Sequence, residues 1–465
     1  MYKGLQAERD DLAQILALAR DYSLQHLQSL DEQPAARKPA QSIPVKLSQA
    51  GVGFTETLNQ FKARWAAQLT GSAGPRYLGF ITGGATPASV VGDWLTSVFD
   101  QNPMNSLDGG GQQLERETLA WLRDLFGLPD SFAGSFVSGA TQSNMVGLAI
   151  AREWLGEQRG ISVAQAGLAA LGPVTILSGA SHSSVYKAAS ILGFGRKAIR
   201  SLPVMPEREA VDIAALESAL AAMNGEPVIV VANAGTVNTV DFDDLPAIAA
   251  LKSRYPFWLH VDAAFGAFAA LSPAHAHHVD GLELADSVCI DLHKWLNVPY
   301  DSAVQFSRHQ ALQVRVFQNA AAYLGLPADN PDFVHLTPEN SRRFRALPTW
   351  FSLMAYGRAG HADIVQRNIA QAALLGAQIT AQESRLRVLA PVRLNVVCFT
   401  LTVEPSEARV QALIRQLRDD GEIFLTPTVY KGVWGLRAAF SNWRTEVADV
   451  ERCLKALSRA LDQFA

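Results

Sequence analysis

Four short stretches of this chain hold side chains whose types could do chemistry together. In Asp286-Ser-Val-Cys-Ile-Asp-Leu-His-Lys294-Trp295 a lysine follows an apolar run. A lysine there loses part of its hydration, which favours the free amine as a nucleophile. In Trp258-Leu-His-Val-Asp262-Ala-Ala264 a carboxylate ends a second apolar run, and in Ser178-Gly-Ala-Ser181-His182-Ser-Ser184 an imidazole follows a third. In Ser135-Phe-Val-Ser138-Gly-Ala140-Thr141-Gln-Ser-Asn144 small and hydroxyl residues open a helix, whose free N–H groups attract an anion. Each stretch also has an ordinary structural reading: a surface lysine, a strand-end carboxylate, a core histidine, a helix N-cap. An amine, an acid, a flat ring and an anion site, each after its own run, together suit pyridoxal 5′-phosphate. Its aldehyde needs a lysine, its ring nitrogen an acidic partner, and its phosphate a helix start. No Walker motif or G-x-G-x-x-G run competes for the anion site.

These residues require strands that end side by side. Val174–Ser178, Val228–Ala232, Trp258–Val261, Ser287–Ile290 and Ala303–Phe306 read as strands, and Glu209–Met223 and Leu245–Tyr255 as intervening helices. Such alternation predicts βαβ units, a mostly parallel sheet, and ligands beyond the carboxyl ends of its strands. Residues 1–70 read as helices joined by a proline-rich connection, without a core of their own. Residues 71–340 form the large cofactor domain. Residues 341–465 read as a small α+β domain: helix Ile364–Gln382, strand Leu394–Val403, helix Ser406–Asp419, strands Ile423–Tyr430 and Val433–Phe440, helix Val447–Leu461.

The motifs resemble those of the fold-type I, pyridoxal-phosphate-dependent group II amino acid decarboxylases over roughly residues 50–460. The carriers are Ser138-Gly-Ala-Thr141, Ser181-His182-Ser-Ser184, His260-Val-Asp262-Ala-Ala264, Asp291-Leu-His-Lys294-Trp295 and Arg342-Arg-Phe-Arg-Ala-Leu347, with Leu394–Phe399 and Leu436-Arg437…Arg444-Thr445. The resemblance implies an α/β fold with a seven-stranded-type sheet flanked by helices. It also implies that Lys294 holds the cofactor, Asp262 pairs with its ring nitrogen, His182 stacks on the ring and Ala264 packs on the other face. Ala140, Thr141 and His293 would contact the phosphate with Asp291 nearby, and Thr236 would lie close. Phe80 and Thr82 match a substrate-pocket stretch, and Arg437 an arginine near the active site. Phe333 falls where decarboxylating relatives carry a proton-donating tyrosine; His335 and Tyr323 are nearby substitutes. The implied activity is decarboxylation of an L-amino acid to an amine and CO₂. The alternatives are oxidative decarboxylation to an aldehyde, a non-decarboxylating lyase, or a cofactor-binding protein without activity. The family implies a homodimer with shared active sites, clasped by the N-terminal segment.

Composition agrees and excludes other classes. The chain has 465 residues, 48% of them hydrophobic and 18% charged, with a net charge of −4. At about 150 residues per domain that allows roughly three domains. The charge fraction argues against disorder and suggests that surface is covered by another subunit. Without a basic excess, nucleic-acid binding is not expected. Cys289, Cys398 and Cys453 lie far apart without a C-x-x-C pair, so neither a disulfide framework nor a cysteine metal site is expected. The N-terminus lacks the apolar core of a signal peptide and no membrane-length apolar run occurs, which predicts a cytoplasmic protein.

Overall fold

The computed structural model describes residues 1–40, 43–107, 109–319 and 330–463. Its centre is a seven-stranded sheet. The strands are β1 (Ala133–Val137), β2 (Ile176–Ser178), β3 (Ile199–Ser201), β4 (Val228–Asn233), β5 (Phe257–Asp262), β6 (Ser287–Asp291) and β7 (Ala303–Ser307). Their spatial order is β1-β7-β6-β5-β4-β2-β3. Six strands run the same way. Only β7 is reversed, antiparallel to both β1 and β6. The central strands read Val-Ile-Val-Val-Ala-Asn and Phe-Trp-Leu-His-Val-Asp, buried at every position. Near-continuous apolar runs of this kind mark strands covered on both faces.

Register carries the polar residues to one edge. Asn233 at the end of β4 pairs with Asp262 at the end of β5, and Asp262 with Cys289, two residues before the end of β6 at Asp291. Across this edge runs the helix Ala140–Glu157, which leaves β1 through Ser138-Gly139. It lies very close to β5. A Cβ on Gly147 would come within 2.6 Å of the His260 ring, so only glycine fits there. His260 is fully buried, with Nδ1 2.7 Å from Ser287 Oγ and Nε2 2.8 Å from Asn144 Oδ1.

A second, antiparallel sheet holds β8 (Leu386–Val388), β9 (Val396–Leu401), β10 (Thr426–Tyr430) and β11 (Val433–Ala439) in the order β10-β11-β9-β8. The long helix Ala346–Gln382, interrupted at Gly357, sends Leu353, Val365 and Ile369 into the core of the first sheet. Further along, its Ala372, Leu375 and Ile379 enter the core of the second. The segment around Leu78 also joins the second core, through Leu78 N–H to Phe424 O and Ala439 N–H to Leu78 O. The first three longer helices, Lys3–Asp10, Leu12–Ser29 and Phe54–Arg64, bury none of their own residues.

Several expected elements differ in extent; the helix expected over Leu245–Tyr255 ends at Ala250, and the strand expected from Ile423 begins at Thr426. Helix Glu209–Met223 begins only at Ile213, because Asp212 caps it through the N–H groups of Ala214 and Ala215 while Arg208 is engaged by Asp241. The expected helix Ile364–Gln382 starts instead at Ala346. β1 and β3, short and poor in consecutive β-branched residues, had no strand signal.

His260 makes stability depend on pH. Burial lowers it to about 4, against an unfolded value near 6.5. Below pH 6.5 the unfolded chain binds a proton that the folded chain refuses until about pH 4. The contribution is therefore full above pH 6.5 and lost as pH falls through this window. Urea unfolding should show about 2 kcal/mol of stability lost from this group between pH 7 and pH 5, and His260→Gln should remove that increment. Equal pH slopes in the two proteins would contradict it.

Candidate active site

The strand ends enclose a cavity of about 320 Å³. Of the side chains singled out in the sequence, Phe80, Ala140, Thr141, His182, Thr236, Asp262, Ala264, Asp291, His293 and Lys294 all line it. Lys294 sits on the single-turn helix Leu292–Trp295 directly after β6. Its Nζ lies 3.0 Å from Asp291 Oδ2 and 5.4 Å from the centre of the Phe265 ring. The backbone around it is crowded: a Cβ on Gly83 would lie 1.8 Å from Lys294 O, so this close approach demands glycine.

Asp262 is buried and held by two donors. Ala264 N–H donates to Oδ1 at 3.2 Å and Asn144 Nδ2 donates to Oδ2 at 3.0 Å. Donors of this kind fix the orientation of both oxygens, as an acceptor for a ring N–H requires. His182 caps the helix Ser183–Ile191: Ser184 N–H donates to its Nδ1 at 3.2 Å, and Ser184 Oγ lies 2.8 Å from the same atom. Burial lowers the His182 pKa, a shift opposed by the Asp262 carboxylate, so the ring is neutral near pH 7. The histidine is both helix cap and cavity wall.

The start of the helix Ala140–Glu157 does attract an anion. Ala140 N–H donates to Asp291 Oδ1 at 2.6 Å. The helix start expected to face a phosphate thus already faces a carboxylate, which Lys294 neutralises. His293 Nδ1 donates to Ser302 O at 2.9 Å, and burial lowers its pKa. A neutral His293 therefore presents only the Nε2 lone pair, and donation to a phosphate requires its protonated ring. Thr236 is also committed: its hydroxyl donates to Glu209 Oε2 at 2.6 Å and accepts Asp241 N–H at 2.9 Å.

Three expected pocket residues do not line this cavity. Thr82 uses its carbonyl to accept from Ser441 Oγ. Arg437 lies on β11 behind the wall residue Val237, donating to Val237 O and to Thr426 Oγ1. Phe333 is buried elsewhere, with the guanidinium groups of Arg116 and Arg342 4.9 and 5.4 Å from its ring centre. His335 shares that turn and accepts Asn319 N–H. Tyr323 lies outside the described residues.

The sequence assigns no role to Asn144, Ser184 or Asn233, yet Asn144 touches Asp262 and the other two line the cavity. Asn144 lies one helical turn beyond Ala140 and Thr141, so it faces the same side of the helix. That spacing was the available signal. An amine, a firmly held carboxylate, a neutral imidazole and an anion-binding helix start within one cavity form a donor set that fits pyridoxal phosphate.

Comparisons with known proteins agree. Residues 37–402 match the family model described as the pyridoxal-dependent decarboxylase conserved domain. An aromatic-L-amino-acid decarboxylase of Bacillus atrophaeus is 28% identical over 98% of both chains. One from Drosophila melanogaster is 30% identical over 76% of this chain and 70% of its own. The structure of Oryza sativa TDC with PLP and tryptamine superposes with a TM-score of 0.90 at 23% identity, covering 98% of each chain. Rhodiola rosea 4-hydroxyphenylacetaldehyde synthase reaches 0.85 at 20% identity, with the same coverage. The fold is that of the fold-type I enzymes. The chain, matched over most of its length, is a pyridoxal-phosphate-dependent carboxy-lyase and belongs to the pyridoxal-dependent decarboxylase family.

Proposed function

We propose that the protein decarboxylates an aromatic L-amino acid to its amine and CO₂, with Lys294, Asp262 and His182 as the catalytic groups. The observation that carries the roles is the convergence of these three side chains on one cavity at the carboxyl ends of β5 and β6 and after β2. Bound pyridoxal phosphate supplies an electron sink for the pair released when the carbon–carboxylate bond breaks. Lys294 would hold the cofactor at its carbonyl carbon through Nζ. Asp262 accepts the ring N–H and keeps that proton in place. His182 and Ala264, both in the cavity wall, would hold the ring between them, and His182 could offer an N–H to a substrate carboxylate. Ala140 and Thr141 would hold the phosphate, with Asp291 beside them; His293 would join them only with its ring protonated, and Thr236 closes the wall.

Two observations support an aromatic substrate. The relatives above act, by name, on aromatic amino acids. Phe80 lines the cavity with its side chain largely exposed, and lies 5.6 Å from Phe424, which stacks on Tyr77 at 4.6 Å. These rings form an apolar platform for a flat side chain. The second reading, oxidative decarboxylation to an aldehyde, rests on Phe333. That ring packs against Arg116 and Arg342 and does not face the Lys294 cavity of its own protomer. With a panel of amino acids, CO₂ and amine should appear one to one from an aromatic substrate, without peroxide. Peroxide and ammonia rising in step with CO₂ would reverse the order of the two readings, and turnover of acidic substrates alone would refute the aromatic one.

The working form is a homodimer in the cytoplasm. Leu12, Leu16 and Leu24 are exposed on a helix that buries nothing of its own, and Leu24, Leu27, Val90, Val91 and Trp94 line an apolar groove beside them. Apolar surface on this scale is characteristic of an interface. The cysteines are free and buried, as a reducing compartment allows. No helix among the described residues is long and apolar enough to cross a membrane. Sedimentation at micromolar concentration should give a single dimeric species, and a monomer there would contradict the proposal.

A further inference from the structure

A continuous buried chain of hydrogen bonds joins Trp258 to His182 through the helix Ala140–Glu157. Trp258 Nε1 lies 3.0 Å from Ser287 Oγ, which lies 2.7 Å from His260 Nδ1. His260 Nε2 lies 2.8 Å from Asn144 Oδ1. Asn144 Nδ2 lies 3.1 Å from Ser184 Oγ and 3.0 Å from Asp262 Oδ2, and Ser184 Oγ lies 2.8 Å from His182 Nδ1. Asn144, His260 and Ser287 have no exposed surface.

The Asp262 carboxylate only accepts and the Trp258 indole only donates, so the polarity of the chain is fixed. Asn144 turns its NH₂ towards Asp262 and Ser184, the orientation a carboxylate requires, and its carbonyl towards His260. His260 must then carry its proton on Nε2 and donate to that carbonyl. Its Nδ1, bare in the neutral ring, accepts from Ser287 Oγ, which in turn accepts from the Trp258 indole. A flipped amide would set its oxygen against that carboxylate. At the other end, Ser184 N–H donates to His182 Nδ1 at 3.2 Å, so this nitrogen is an acceptor. Ser184 Oγ accepts from Asn144 and gives its own hydrogen to the same atom. The neutral His182 is left with its proton on Nε2, and no described residue accepts it.

We infer that Asn144 is a positioning residue that couples the Asp262 carboxylate to the His182 imidazole, and that this chain fixes His182 as the Nε2–H tautomer. One amide sets two functional groups. Its first hydrogen orients the carboxylate that serves the cofactor's ring nitrogen. Its second polarises Ser184, which locks the plane and tautomer of the ring above the cofactor. Protonating His182 on Nδ1 would cost two donors at once, so the chain also keeps the ring neutral. His260, Ser287 and Trp258 hold the amide against flipping. The catalytic meaning of this coupling rests on the function proposed above; the tautomers do not.

Nitrogen NMR of ¹⁵N-histidine-labelled apo-protein at pH 7 reads the tautomers without cofactor or turnover. Both His182 and His260 should show a bare Nδ1 and a protonated Nε2. A protonated Nδ1 on either ring would overturn the inference, and a protein with both tautomers but no decarboxylase activity would support it while refuting the function. Kinetics of the holoenzyme then test the coupling. Ser184→Ala should lower kcat about tenfold and leave the cofactor Kd within about twofold, because it cuts only the branch to His182. Asn144→Ala should lower kcat and raise the cofactor Kd, each about tenfold or more, and the double variant should be no worse than Asn144→Ala alone. Fully additive losses in kcat would overturn the coupling. Should Asn144→Ala fail to fold, the Ser184→Ala split between kcat and Kd and the wild-type tautomers remain decisive.

Discussion

The arrangement depends on one buried carboxylate. Asp262 ends a strand whose six residues are all buried, where an unpaired charge would be prohibitively costly. It is tolerated because the helix Ala140–Glu157 delivers the Asn144 amide to one oxygen while the turn after β5 delivers Ala264 N–H to the other. Both donors follow from tight packing: Gly147 lets the helix approach β5, and the approach brings Asn144 between His260 and Asp262. A larger residue at position 147 would push the helix outward and take the amide away from the carboxylate it serves.

The rest of the cavity follows the same electrostatic economy. It contains one ammonium, two carboxylates and two imidazoles. Burial keeps both imidazoles neutral near pH 7, and the second carboxylate, Asp291, is shared between Lys294 and the start of the helix. Lys294 thus stands between a group that holds it and the cavity it serves. Placing polar groups at strand ends while the strands stay apolar keeps the sheet stable and the chemistry at its edge. The second sheet contributes from behind, with Arg437 fastened to the carbonyl of Val237 and Phe424 set among the aromatic rings near the mouth.

What could be read from the sequence was local. Lys294, Asp262, His182 and Ala140 each sit in a short run whose strand or helix start is visible in a few residues. The parallel sheet then brings them together, whatever lies between. What could not be read depended on register or on distant contacts. Phe333 matches the position of a proton-donating tyrosine, but its ring lies against Arg116, more than two hundred residues earlier in the chain. Thr236 lies in the cavity wall as expected, but Glu209, read as the start of a helix, holds its hydroxyl. Asn144 lies within the Ser138–Asn144 motif. Its role exists only where the helix crosses β5, and composition and periodicity say nothing of that crossing.

The central claim is that Asp262 serves the cofactor's ring nitrogen as an ionised acceptor. Its most direct test is Asp262→Asn, which keeps the size of the side chain and removes its charge. The account predicts a protein that still binds pyridoxal phosphate and still shows the visible absorbance of lysine-bound cofactor. Its decarboxylation should fall by about 1,000-fold, on the scale of a lost electrostatic stabilisation of the transition state. Turnover within about tenfold of wild type would contradict it.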